Sequence, residues 1–300
     1  MNFFKHNIWA VVLAGLILSF LLPPIGILIS PFVQTLFMII MFFSTLNISI
    51  RKVMTEIHHP KKVFISLLLI HLASPLMLLP FRGFFSEEIF LGLILASVVP
   101  AGISVVFLSK LFGGDPSRSL VVTTISSLLS PVTVPLLVMI FAQTSIALSP
   151  FTMAMTITKL VIIPFLVARF VARTPYKKML DKHTPTVTLV TLFLIIVGII
   201  SPLTSYVVSS LGIFMVLIGV VTVLNVILFL AGFSIGTTHE AKTSYGISAT
   251  FKNFALSTVL ALSIFNAEVA LPAIAYSVIN SFLLIPMQWF IDGQKPQNKA

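Results

Sequence analysis

The chain has 300 residues, of which 58% are hydrophobic and only 9% charged, with 18 Lys and Arg against 8 Asp and Glu. No water-soluble fold has enough interior to hide that much apolar surface, so the composition implies a protein whose outside faces lipid. The absence of cysteine excludes disulfides, thiolate metal centres and cysteine nucleophiles. The net charge of +10 is confined largely to short loops between apolar runs, which points to membrane topology and not to nucleic acid.

Apolar runs of membrane-spanning length are expected at 8–28, 31–50, 62–81, 88–109, 119–142, 150–171, 185–205, 209–232, 245–265 and 269–291, ten in all. The first follows Lys5 and His6 without a small-residue cleavage site, so it is expected to be a retained span and not a signal peptide. Breaks are punctuated by Pro23-Pro24, His59-Pro60-Lys61-Lys62, Gly113-Gly114-Asp115-Pro116 and Arg173-Thr174-Pro175. Ten spans put both termini on one side, with the loops near 51–62, 110–118, 173–183 and 239–242. Every Lys and Arg falls on that side except Arg82, Lys159 and Lys252. The bias places both termini in the cytoplasm of a multi-pass protein of the cell inner (plasma) membrane.

Gly102-Ile103-Ser104-Val105-Val106-Phe107 in the fourth span recurs as Gly246-Ile247-Ser248-Ala249-Thr250-Phe251 in the ninth. Five spans per half would give the second half the opposite polarity. That is an inverted-topology repeat, with one half at 1–148 and the other at 149–300. Pro100 with Gly102, and Gly246 with Ser248, are expected to interrupt the fourth and ninth spans near their middles. Lipid tolerates such breaks only where they line a cavity, so two of them face to face would build a polar site from backbone.

Lys252 is the leading site candidate. An ammonium at bilayer depth costs about 2.5 to 3.5 kcal/mol by insertion scales unless it faces a wet cavity or a partner. With Asn253 beside it, the pair suits a carboxylate; the alternative is a lysine that snorkels or bonds backbone carbonyls. Other polar groups at depth are His71, Ser119, Thr123, Ser248, Asn225 and Asn280. Lys159, near the middle of the sixth span, is a second intramembrane cation and anion candidate. Ser104 or Ser248 with His71 or Lys252 could be drawn as an intramembrane protease, but no hallmark of one accompanies them. No carboxylate pair, metal motif or phosphate-cradling loop supports an enzyme. No cofactor is expected.

The pattern resembles the bile acid:sodium symporter superfamily. The resemblance is carried by Met41-Phe42-Phe43-Ser44-Thr45-Leu46-Asn47, Val99-Pro100-Ala101-Gly102, Gly113-Gly114-Asp115-Pro116 through Ser130-Pro131, and Lys252-Asn253. It implies an all-α membrane fold with a core of spans 3–5 and 8–10 and a panel of spans 1, 2, 6 and 7. Broken spans 4 and 9 would cross in the core, with an organic anion bound behind the crossing. On that resemblance Ser119 and Thr123 match sodium ligands, and Asn253 and Asn280 match polar residues near the substrate. Five positions depart from it. Val105-Val106 stand where sodium-coupled members have a Ser-Asn pair, and Ser248 where they have glutamate. Lys252 and His71 stand where they have glutamines.

Sodium coupling is therefore not expected. The expected function is secondary transport of a small organic anion by alternating access. It would be either coupled to protons through Lys252 and His71 or uncoupled, with Lys252 fixed as a charge. Ordinary sodium symport through backbone oxygens and a non-transporting membrane scaffold or sensor are the alternatives.

Overall fold

The computed structural model describes residues 8–48, 60–102, 104–147 and 149–294. Among them regular structure is entirely helical. We number the helices α1 (Ile8–Leu21), α2 (Pro23–Leu46), α3 (Pro60–Phe84), α4 (Glu87–Val98), α5 (Val105–Leu111) and α6 (Pro116–Ala142). They continue with α7 (Pro150–Val171), α8 (Lys177–Ser209), α9 (Leu211–Ile235), α10 (His239–Thr250), α11 (Phe254–Ile264) and α12 (Ala267–Gly293). Among the described residues 7 helices, α2, α3, α6, α7, α8, α9 and α12, are long and apolar enough to cross a membrane. Lipid offers backbone groups no partner, which is why an apolar chain of this kind resolves into helices.

Helix starts follow the side chains available to cap them. Ser86, Asp115, Ser149, Thr238, Asn253 and Asn266 each stand before a helix and accept a hydrogen bond from a first-turn amide. Pro116 and Pro150 occupy first-turn positions, where a missing N–H costs nothing. In the first turn of α4, the backbone N–H of Ser145 and the hydroxyl of Thr144 hold the Glu87 carboxyl below the usual carboxylate range.

Two boundaries differ from the sequence reading. The first break falls at Leu22, whose backbone (φ −133°, ψ 62°) is non-helical, as the clash with the Pro23 ring disfavours the helical region for the residue before it. The helix then runs through Pro31 as a 3-10 turn at Ser30–Phe32, where a break had been expected. The seventh and eighth runs are parted only at Ser210, with a 3-10 turn absorbing Pro202.

Helices pack in two groups. α8 lies against α1 and α2, and α7 against α2. In the other group α9 packs on α10, α12 on α4, α9 and α11, and α6 on α4, α5 and α10. The groups meet where α11 touches α2, α7 and α8, and where α6 turns into α7. The loops at 111–116, 171–177 and 235–239 mark one end of the bundle, called here the basic end; the turns at 84–87, 142–150 and 264–267 mark the opposite end.

The centre of the second group is a crossing of two chain breaks. The fourth run stops being helical after Val98 and resumes at Val105, as Pro100 and Gly102 led us to expect. The ninth is interrupted at Phe251-Lys252-Asn253, not at Gly246–Ser248, which lies in regular helix within α10. Gly246 is small because α9 presses on it: a Cβ there would lie 3.0 Å from the Phe229 ring. Gly102 and Ser104 therefore lie in a break in one run, whereas their counterparts Gly246 and Ser248 lie in continuous helix in the other. The two breaks are joined as a short antiparallel bridge between Ala101 and Lys252. The Gly102 amide donates to the Phe251 carbonyl and the Asn253 amide to the Pro100 carbonyl, each at 2.8 Å.

Gly102 is required by that approach, since a Cβ on it would stand 2.8 Å from the Lys252 carbonyl oxygen. Gly102→Ala is expected to lower stability by about 1–3 kcal/mol, the usual cost of overpacking. Gly83→Ala, with nothing within 4 Å of the new methyl, should leave it unchanged. Thermal unfolding of both variants in detergent checks this, and equal melting temperatures would contradict the crossing as described.

Candidate functional site

α3 and α4 present free carbonyls to the crossing. The middle of α3 is a π-turn at Leu69–Ala73, in which the Ser74 amide reaches back to the Leu69 carbonyl. In that register the next amide would serve Ile70, but residue 75 is proline and has no N–H. The Ile70 carbonyl is thereby left open. α4 ends at Val98, so its last carbonyls, among them those of Ser97 and Val98, also lack helical partners and carry the negative end of its dipole.

Lys252 answers both. Its ammonium donates to the Ile70 carbonyl and, at 2.8 Å, to the Ser97 carbonyl, and the residue is 4% exposed. His71 Nδ1 lies 2.9 Å from the Val98 carbonyl. A carbonyl only accepts, so Nδ1 carries the hydrogen and Nε2 is left buried without a partner. His71 and Lys252 are thus brought to one place, as expected from the sequence. The ammonium is committed to backbone carbonyls and not to an open anion site, so the carbonyl-bonding alternative describes its geometry.

A cavity of about 560 Å³ lies between the groups beside the crossing. Gly102, Ser104, Lys252, Asn253 and Asn280 contribute to its wall, with Thr258, Ser277 and Ser281. Leu189, Leu192, Ile195, Ile196 and Ile199 of α8 make the facing wall, which is apolar. Asn253 caps α11 by accepting from the Leu256 amide at 3.1 Å, and its own Nδ2 is buried without a partner. Asn280 accepts from Asn225 Nδ2 at 2.8 Å. The arrangement offers neutral amide donors, a helix N-terminus and a long apolar surface, which suits an amphipathic anion, while the Thr258, Ser277 and Ser281 hydroxyls donate to carbonyls of their own helices.

Other expected residues lie elsewhere. Pro100, Gly246 and Ser248 do not line the cavity; Ser248 is fully buried and donates to the Ser244 carbonyl at 2.7 Å. Ser119 is buried 3.5 Å from Ser248, and Thr123 lines a separate cavity of about 50 Å³ with Val106, its hydroxyl without a partner. Lys159 is exposed, amid the exposed apolar face of Met155, Ile163 and Leu166. It is not a cavity residue. It lies about 13 Å from the start of α7, and helical side chains tilt towards the N-terminus, which favours snorkelling to the opposite end. Sequence reasoning missed the Ile70 and Ser97 carbonyls, although Pro75 was a signal for the first.

The fold is that of an all-helical membrane protein in which two broken runs cross beside a cavity. Residues 33–212 match the Sodium Bile acid symporter family, and the chain belongs to that family of transporters. It is 28% identical over 283 residues to the "Uncharacterized sodium-dependent transporter YocS" of Bacillus subtilis (strain 168), covering 91% of this chain and 86% of that one. It is also 26% identical over 152 residues to the "Uncharacterized protein YbaS" of the same strain, covering 47% of this chain and 49% of that one. The chain is accordingly a multi-pass membrane protein in contact with the bilayer and with a transported substrate.

Replacing Lys252 by Ala removes the donor for two buried carbonyls. Hydrogen bonds from charged groups are each worth about 1.5–3 kcal/mol, so a fall of that order in stability is expected. Millimolar ethylammonium should recover part of it in Lys252→Ala and none in the parent, read as a thermal shift; no recovery would mean that the ammonium is not what the carbonyls hold.

Proposed function

We propose that the chain is a secondary active transporter that moves a small organic anion by alternating access without using sodium. Taking α4 with α5 and α10 with α11 as single broken spans gives ten spans, five at 1–148 and five at 149–300 with opposite polarity. α1, α2, α7 and α8 then form the panel, and α3–α6 with α9–α12 form the core that rocks against it. The basic end faces the cytoplasm of the inner membrane, with both termini. Proteins of this design carry substrate between the two groups, and the cavity lies there.

The observation that carries the sodium-free reading is the Lys252 ammonium bonded to the Ile70 and Ser97 carbonyls. A hard cation needs several oxygen ligands. Two carbonyls are taken, Val105 and Val106 offer no side-chain oxygen, and an ammonium repels a second cation. These residues do not fit a sodium ion at the crossing. Lys252 instead acts as a built-in cation that neutralises the end of α4 and keeps the crossing electrically complete. Asn253 and Asn280, with the N-terminus of α11, take the anionic group, and α8 takes its apolar part.

Two forms of the mechanism follow. In one, Lys252 stays charged and the carrier exchanges anions without an ion. In the other, a proton is exchanged between Lys252 and the free Nε2 of His71, and transport is driven by a proton gradient. Sodium symport is the second reading, favoured by the printed name of the Bacillus relative and by the free hydroxyl of Thr123.

Uptake of a panel of radiolabelled organic monoanions into proteoliposomes decides among them. Equal uptake in sodium and choline buffers is expected, and uptake that vanishes without sodium and titrates back with it would refute the sodium-free reading. Lys252→Gln should cut uptake at least about tenfold, given the strength of two charged hydrogen bonds. A pH gradient should accelerate the wild type only in the proton form. Near-normal uptake by Lys252→Gln would make this lysine purely structural. Failure to move any anion, by a protein shown by thermal shift to be folded, would favour a scaffold or sensor.

A further inference from the structure

The cavity is lined at the basic end by Leu111, the last residue of α5, by Pro185 and Thr188 early in α8, and by Ser281 and Leu284 late in α12. Leu111 is 53% exposed, as a residue at a mouth would be. Towards the opposite end the lining stops at Ile40 on α2, Ile200 on α8, Thr258 on α11 and Ile274 on α12.

Beyond those stops, on the same helices, two contacts bridge the groups. Gln34 Nε2 on α2 donates to Ser263 Oγ on α11 at 2.8 Å. The Tyr206 phenol on α8 lies close to the Glu268 carboxylate at the start of α12, and that carboxylate accepts from Ser86 Oγ at 2.7 Å. Each of the bridging residues lies about 7–9 Å past the last lining residue of its helix, at the rise of an α-helix. One partner of each contact comes from α2 or α8 and the other from α11 or α12, so separating the groups at this end must break both.

We propose that Gln34–Ser263 and Tyr206–Glu268 form a polar latch that shuts the cavity from the opposite end, and that its opening is a required step of transport. The inference rests on the alternating-access reading, to which it adds the residues that hold one gate. A neutral hydrogen bond and a phenol–carboxylate contact at a half-exposed seam suit the role. They are strong enough to bias a two-state equilibrium and weak enough to be broken in every cycle. Apolar packing of α11 against α2, α7 and α8 supplies the rest of the closure.

The chain has no cysteine, so engineered thiols report without background. Gln34→Cys with Ser263→Cys, bridged by a short bis-methanethiosulfonate that reductant cleaves, is expected to abolish uptake of the organic anion and to recover it on reduction. Each single variant treated alike should retain uptake. Bridged protein that transports at the unbridged rate, or a pair that does not bridge, overturns the latch. A second measurement needs no substrate. Ile199→Cys on the cavity wall is labelled in proteoliposomes by a membrane-impermeant maleimide applied from either side. Labelling from the opposite end should be slow, and should rise about fivefold for each polar contact removed by Gln34→Ala or Tyr206→Phe. Unchanged labelling in those variants overturns the latch. If no anion is transported by the wild type but this labelling rises, the latch stands and the transport reading falls.

Discussion

Two hydrogen bonds between chain breaks, Gly102 to Phe251 and Asn253 to Pro100, are the constraint on which the interior depends. Interrupting a helix in an apolar protein strands amides and carbonyls, each costing several kcal/mol if left unmet in hydrocarbon. Here each break partly satisfies the other. The bridge fixes where α5 and α11 begin, aims their N-termini towards the cavity, and brings Lys252 opposite the end of α4. The groups it leaves open, at Ser97 and Val98, are then closed by Lys252 and His71. The polar centre is a chain of mutual completions, so removing one member exposes others.

The same logic explains why a lysine can be tolerated at this depth. An isolated ammonium in a low-dielectric interior is costly, but carbonyls at a helix terminus and a π-turn present partial negative charge already oriented towards it. Pro75 is part of the arrangement, since a residue with an N–H there could have taken up the Ile70 carbonyl and left Lys252 one partner short. Lys159 shows the contrast. It lies in a π-turn of its own helix, at Thr158–Ile162, followed by Pro164, but its side chain points outward, away from the cavity. The two lysines thus have different environments because one faces a crossing and the other faces outward from the bundle.

The cavity combines an apolar wall, given by α8, with a polar rim given by Asn253, Asn280 and nearby hydroxyls. Such a surface discriminates by shape and by a small number of donors, and it carries no carboxylate that could hold a cationic substrate. The division of labour matches the packing. Helices of the first group contribute mostly side chains without polar atoms, whereas the second group contributes the broken backbone and its caps. A site split in this way between two packed groups changes shape whenever they shift relative to one another.

Much of this was legible in the sequence, and the misses have a common cause. Composition and the spacing of apolar runs determined that the protein is helical and lies in a membrane, because those properties reflect the solvent around each segment. Pro100 and Gly102 announced the first break because proline lacks a donor and glycine admits close approach. Lys252 and His71 stood out because charge at depth needs a reason. The second break was not legible: nothing in Phe251-Lys252-Asn253 forbids a helix, and Gly246 looked the better breaker. That break exists because Pro100 and Gly102, distant in sequence, offer partners there. The tertiary structure likewise decided that Gly246 serves the contact with Phe229, that Ser248 is buried away from the cavity, and that Lys159 faces outward. Local chemistry sets which backbone groups can be left open; only the approach of another segment decides which of them are filled, and by what.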